Sequence, residues 1–278
     1  MSEYIIPQNE VPVVHDELVA GIRNYMKSHG FKKALIGLSG GIDSALTCAL
    51  AAEAVGSGNV MGIAMPSKYS SIESEQYARR LAENLGVEYK IVPIGDIYES
   101  YLDLLDEDLE GDEKTDIEIY HQNIQARIRG NILMAFSNRF GYFVLATGNR
   151  SEAMMGYCTL YGDTVGGLAV LSSVLKAGVY QLSEYINRDK EIIPRDIIDR
   201  VPSAELKPGQ ADHDFLPPYD ILDSILYYHL DENCTAGELE KKGFDPDVVK
   251  EVLAAIDRTE YKRRQCPPGI KLTGHVKK

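Results

Sequence analysis

Residues 37–44 read Gly-Leu-Ser-Gly-Gly-Ile-Asp-Ser, between an apolar run and an Ala-rich one. Paired glycines with hydroxyl and carboxylate neighbours suit a loop that turns backbone N–H groups and a helix N-terminus toward phosphate. The glycines permit the tight turn and the close approach of an anion. No GK[ST] follows, so this is not a Walker A loop, and GxGxxG is absent from it. The nearest imitation, Gly56-x-Gly58-x-x-x-Gly62, precedes a strand and has the wrong spacing. Ser and Asp also cap ordinary helices. Ser39, Gly40, Gly41, Asp43 and Ser44 together, after a buried strand, favour a phosphate site over a plain cap.

The elements that must position this loop follow from periodicity. Lys33–Leu38 predicts a short buried strand and Ala45–Val55 a helix. The unit recurs with a strand at Val60–Met65, a helix over Ile72–Leu85 ending at Gly86, and a strand at Tyr89–Ile94. A helix over Ile117–Phe140 then precedes a strand at Tyr142–Thr147. Alternating strands and helices imply right-handed crossovers and a mostly parallel α/β sheet covered on both faces, with ligands at the strand C-terminal ends. Asp103–Asp116 is the most charged stretch and reads as an exposed acidic insertion. Pro-rich interruptions after Lys176 predict a long surface loop over Ala204–Pro218, then a helical tail from Tyr219 to about Arg258.

Composition narrows the function classes. The 278 residues are 44% hydrophobic and 26% charged, as in folded water-soluble proteins, and suit one large domain or two small ones. A net charge of −13 disfavours nucleic acid and acidic membranes as general partners, leaving small anions at a locally basic pocket. Cys48, Cys158, Cys234 and Cys266 form no CxxC pair, so neither a zinc site nor a disulfide framework is indicated and a cytoplasmic setting is expected. The opening MSEYIIPQNE does not read as a signal peptide, and no run of about 18 apolar residues occurs.

The SGG-x-DS loop resembles the pyrophosphate loop of the ATP pyrophosphatases, which split ATP between its α and β phosphates. That superfamily includes GMP, argininosuccinate and asparagine synthetases and tRNA-modifying enzymes, so the loop alone does not choose a substrate. A second block does: Thr147-Gly-Asn-Arg-Ser-Glu-Ala-Met-Met-Gly-Tyr-Cys-Thr-Leu-Tyr-Gly-Asp163, then Gly166-Gly167 and Lys176, resembles the NAD synthetases. So do Asn123–Arg127, Pro202–Leu206, Leu216–Tyr219 and Glu260–Arg264, in family order from about residue 33 to 270.

The resemblance implies an adenine nucleotide alpha-hydrolase-like, Rossmann-like fold with strand order 3-2-1-4-5. It implies a single domain with its core at about residues 15–190 and C-terminal loop and helices beyond. It implies ATP- and Mg²⁺-dependent amidation of nicotinic acid adenine dinucleotide (deamido-NAD), a homodimer, and no protein nucleophile. By position, Gly37, Leu38, Ser39, Gly40, Gly41, Ile42, Asp43, Ser44, Thr147, Lys176 and Ser203 would bind ATP. Asp43 and Glu152 would bind the metal, with Asp43 and Lys176 acting electrostatically; Arg127, Tyr157, Tyr261 and Lys262 would bind the dinucleotide. Carboxylates completed by substrate phosphates suit Mg²⁺, and a guanidinium suits an oxyanion. Arg129, an i+2 neighbour of Arg127 on another helix face, is expected to be structural, and Arg263 and Arg264 stay unassigned.

Short bacterial forms commonly carry His, Lys and Asp where this chain has Tyr261, Leu160 and Gly167, so their substrate contacts there do not transfer. At these positions the chain resembles the synthetase portion of the longer glutamine-dependent enzymes, yet it begins almost at that portion, and no cysteine has the context of a glutaminase nucleophile. Free ammonia is therefore the expected nitrogen source, with a separate glutaminase subunit as a possible supplier. The competing readings are another ATP pyrophosphatase and a non-catalytic nucleotide sensor on the same fold.

Overall fold

The computed structural model describes residues 6–109, 117–207, 209–210 and 212–273. Its helices are α1 (Val11–Ser28), α2 (Ile42–Val55), α3 (Ile72–Leu85), α4 (Gly95–Leu109), α5 (Ile117–Phe140), α6 (Arg150–Met155), α7 (Lys176–Ile186), α8 (Arg195–Ile198), α9 (Tyr219–Leu230), α10 (Ala236–Lys241), α11 (Pro246–Arg258) and α12 (Glu260–Arg263). Five strands, β1 (Lys33–Gly37), β2 (Val60–Ala64), β3 (Glu88–Ile91), β4 (Tyr142–Ala146) and β5 (Leu168–Ala169), form one sheet. Its order is β3-β2-β1-β4-β5, and every pairing is parallel.

The central strands are apolar throughout because helices cover both faces. Along β1 the side chains alternate: Ala34 and Ile36 join the core under α1, α2 and α7, while Leu35 joins Ile63, Tyr98 and Val144 under α4 and α5. Small alanines let α2 lie almost wholly buried beside the sheet. A third core, with Leu222, Ile225, Val249 and Val252 at its centre, gathers α9, α10 and α11 beside α6.

Several expectations need correction. Helix α2 begins at Ile42, three residues before the predicted start, because extended Gly41 is its cap, so Asp43 and Ser44 lie in its first turn. Strands β1, β2 and β4 each end one residue earlier than predicted, and β3 spans Glu88–Ile91 instead of Tyr89–Ile94. Of the supposed acidic insertion, Asp103–Leu109 completes α4, and residues 110–116 lie outside the described ones. The helical tail runs from Tyr219 to Arg258 as predicted, in three helices separated near Asn233 (φ 58°) and Gly243 (φ 95°), each new one restarted by a cap at Thr235 or Asp245. The 204–218 segment is not simply surface, since Gln210, Asp212 and Leu216 are buried.

Candidate active site

Strands β1, β2 and β4 run in parallel and deliver their C-terminal ends to one cleft, the place where open α/β sheets bind ligands. The SGGIDS loop forms its floor, leaving β1 through a Leu38 N–H bond to the Ile63 carbonyl at 2.9 Å. Ser44 braces the loop by donating its hydroxyl to the Gly41 carbonyl at 2.9 Å and accepting the Ser39 N–H at 3.3 Å. Gly40 has φ +80°, and a Cβ there would lie 2.4 Å from the Ser74 carbonyl oxygen, so only glycine fits.

Three charged groups meet above the loop. Lys176 opens α7, is 2% exposed, and places Nζ 2.5 Å from Asp43 Oδ2 and 3.6 Å from Glu152 Oε1. Burial alone would depress the ammonium, but Asp43 and Glu152 outweigh it and hold its pKa above the lysine range. Burial, then the Asp43 charge, pushes the Glu152 carboxyl well above its ordinary value. Asn149 caps α6 by accepting the Glu152 N–H at 3.0 Å, and donates Nδ2–H to Asp43 Oδ1 at 2.8 Å.

A buried frame holds this group in place. Asp223 on α9 accepts the Ser151 hydroxyl at 2.5 Å and the Ala177 N–H at 2.7 Å, and Ser151 Oγ accepts the Lys176 N–H at 3.0 Å. Asp223 thus caps the helix that Lys176 begins, and burial raises its carboxyl to about 6. Beside it, Arg150 grips Asp231 with two bonds of 2.7 and 2.9 Å, tying α6 to the end of α9.

The far wall is a clasp between residues 200–206 and α3. Glu205 accepts the hydroxyls of Ser71 and Ser74 at 2.8 Å each and pairs with Arg200. Burial would raise its carboxyl, but the two serines and Arg200 hold it below the usual range. Ser203 donates its hydroxyl to the Gln210 carbonyl at 2.5 Å.

Of the residues singled out in the sequence, Gly37, Leu38, Ser39, Gly41, Ile42, Asp43, Ser44, Thr147, Glu152, Tyr157, Lys176 and Ser203 line this cleft. Gly40 stands behind it against Ser74. Arg127, Tyr261 and Lys262 are not on its wall. Arg127 is exposed and donates Nε–H to the Leu160 carbonyl at 3.2 Å. Tyr261 is exposed, and Lys262 bonds the Gly156 and Cys158 carbonyls at 2.8 Å each, clamping the turn after α6. Arg129 both lines the cleft and donates Nε–H to the Met65 carbonyl at 3.0 Å; burial lowers its pKa to about 10. Sequence reasoning passed over Asn149, Asp212 and Asp223. Asn149-x-x-Glu152 was detectable as a capping box, whereas Asp212 and Asp223 carry no local signal.

The chain is similar to known proteins over most of its length. The family model for NAD synthase matches residues 14–266. The glutamine-dependent NAD(+) synthetase of Thermotoga maritima is 48% identical over 271 residues, which cover 95% of this chain and 46% of that protein. The chain thus spans about half the length of the curated relatives it matches. Among solved structures, NMN synthetase from Francisella tularensis (26% identity, TM-score 0.77) aligns over 93% of this chain and 97% of its own. The NH3-dependent NAD synthetase from Campylobacter jejuni (25% identity, TM-score 0.72) aligns over the same shares. With the loop, the Lys176–Asp43–Glu152 cluster and a match across most of its length, the chain belongs to the NAD synthase family.

Proposed function

We propose that this chain catalyses the ATP-dependent amidation of deamido-NAD with ammonia, giving NAD, AMP and pyrophosphate. The observation that carries the reading is the buried Lys176 ammonium held between Asp43 and Glu152 directly over the SGGIDS loop. A nicotinate carboxylate must approach the α-phosphate of a polyanion, so the chemistry needs charge neutralisation and in-line alignment more than a nucleophilic side chain. No cysteine or histidine lines the cleft among the described residues.

The loop N–H groups and the start of α2 hold the phosphates, with Thr147 and Ser203 as hydroxyl partners at its sides. Lys176 offsets the charge that develops as pyrophosphate departs. Tyr157 lines the cleft, backed by Phe215 at 6.0 Å between ring centroids, and would stack on the nicotinate ring in this reading. Among the described residues no three acidic, thiol or imidazole side chains converge as an all-protein metal cage. Asp43 and Glu152 fit Mg²⁺ shared with substrate phosphates, which would neutralise the polyphosphate and align it. Arg127 and Tyr261, exposed beside the cleft elements, suit a dinucleotide gripped jointly with a second copy of the chain.

Ammonia is the nitrogen source in this reading, free or supplied by a separate glutaminase. No helix among the described residues is long and apolar enough to cross a membrane. Amide formation by the purified chain, with ammonium and glutamine in separate reactions, tests the proposal. Turnover with ammonium alone supports it, whereas turnover with glutamine alone contradicts it. Nicotinate mononucleotide in place of deamido-NAD tests the alternative suggested by the NMN synthetase likeness. A higher kcat/KM for the mononucleotide would move the assignment.

A further inference from the structure

The turn after α6 and the residues that end α12 are tied together by side chains. Lys262 Nζ donates to the Gly156 and Cys158 carbonyls at 2.8 Å each, and the Tyr161 hydroxyl donates to Gln265 Oε1 at 2.5 Å. With the two backbones held in this register, the thiols of Cys158 and Cys266 face each other. Cys158 donates its S–H to the Cys266 sulfur, and Cys266 in turn donates to the Lys262 carbonyl at 3.4 Å. Cys158 sits between Tyr157 and Thr159, both of which line the cleft.

The two thiols differ from the rest and from each other. Cys48 is buried in α2, and burial pushes its thiol up to about 12, so it is inert. Cys158 and Cys266 are both partly exposed. The bond from Cys158, with the Arg263 and Lys262 charges, outweighs burial and Asp163 and brings Cys266 down to about 7. The same bond, followed by burial, raises the Cys158 thiol. One sulfur is therefore a ready nucleophile and its neighbour a held thiol, the arrangement of an attacking and a resolving cysteine. Among the described residues no third acidic, thiol or imidazole side chain converges on them, so the pair suits two-sulfur chemistry and not a metal.

We propose that Cys158 and Cys266 are joined reversibly as a disulfide when a hydroperoxide meets the chain, and that this bond displaces the Tyr157–Thr159 wall and weakens dinucleotide binding. The Cys266 thiolate attacks one peroxide oxygen, the O–O bond breaks, and the departing hydroxide takes a proton from solvent to become water. The sulfenic acid left on Cys266 is then attacked by the Cys158 sulfur. The S–O bond breaks, and the hydroxide released takes the Cys158 proton as a second water. Two thiols are oxidised by two electrons, and one hydrogen peroxide is reduced to two waters. Drawing Cys158 onto Cys266 moves its two cleft neighbours, which is how the bond reaches the site. The effect on turnover rests on the amidation reading above, whereas the disulfide itself does not.

The test treats the full chain with hydrogen peroxide, blocks free thiols under denaturing conditions, and maps peptides without reduction. A linked peptide pair carrying Cys158 and Cys266, with Cys48 and Cys234 blocked, is expected. In Cys158→Ser a dimedone-trapped sulfenic acid should accumulate on Cys266, and in Cys266→Ser none should form on Cys158. The deamido-NAD KM of the oxidised native chain should rise about fivefold or more and the ATP KM by less than about twofold. Dithiothreitol should reverse both the bond and the KM change, which methionine oxidation would not allow. Both cysteines recovered as blocked thiols after oxidation, or linked to Cys48, to Cys234 or between chains, overturn the pair; this reading needs no variant to fold. A Cys158–Cys266 bond that leaves the deamido-NAD KM within twofold overturns its control of the site. A reduced native chain that makes no NAD fails the amidation reading instead, and the peptide map still decides the pair.

Discussion

Lys176 and Asp43, 133 residues apart in the chain, form a 2.5 Å ion pair at the first turns of two neighbouring helices, α7 and α2. The lysine sits where the phosphate loop ends and where α6 presents Glu152 at 3.6 Å. One positive charge therefore balances two carboxylates in a site that must also accept a polyphosphate.

Removing that charge should harm both activity and stability. Lys176→Met leaves Asp43 and Glu152 uncompensated, and breaking a buried pair costs about 3–5 kcal/mol. Losing a preorganised group of this kind lowers kcat by roughly 100-fold or more. Urea unfolding and steady-state assays check the two effects, and a variant with native stability and kcat contradicts the role.

Asp223 supplies a pH dependence. Burial raises its carboxyl from 3.8 to about 6, so the native state binds its proton more tightly than the unfolded chain does. Its contribution is fully present below about pH 4 and is lost as pH rises through about 6. The native chain should therefore lose roughly 2–3 kcal/mol relative to Asp223→Asn between pH 4 and pH 7. Urea midpoints of both proteins across that window measure the difference.

Gly40 tests the loop without altering any charge. Gly40→Ala places a Cβ against the Ser74 carbonyl at a positive φ, a conformation that costs an L-residue about 1–2 kcal/mol before the clash is counted. The loop must shift, so the ATP KM should rise about tenfold or more. ATP titrations by calorimetry should show the same loss.

Arg127 stands apart from the cleft and is exposed. Arg127→Ala should leave stability within about 0.5 kcal/mol of native. It should raise the deamido-NAD KM about tenfold while the ATP KM stays within about twofold. Equal effects on both substrates would remove Arg127 from dinucleotide binding.

The legible parts of this chain were those with local signals. Gly86 ends α3 in the left-handed conformation (φ 67°), and Ser71 caps its start, so the predicted bounds coincide with the observed ones. Parallel pairing follows from strands alternating with helices, whereas the order β3-β2-β1-β4-β5 was implied by the family resemblance. Helix α1 has its buried residues at Val11, Val14, His15, Leu18, Val19, Ile22 and Met26, a helical stripe that was present but not assigned. Strand β5 has only two residues, too few for any periodicity. In the site, family spacing located Lys176 and Glu152, but the Asp223–Ser151 and Asp231–Arg150 contacts span 72 and 81 residues. No window of sequence shows such partners, and tertiary packing alone brings them together.

The most direct test of adenylation follows the carboxylate oxygens of deamido-NAD labelled with heavy oxygen through one turnover with ATP, Mg²⁺ and ammonium. Attack by the carboxylate on the α-phosphate predicts one labelled oxygen in AMP and none in pyrophosphate. Label in pyrophosphate or inorganic phosphate, or unlabelled AMP alongside NAD, would contradict it.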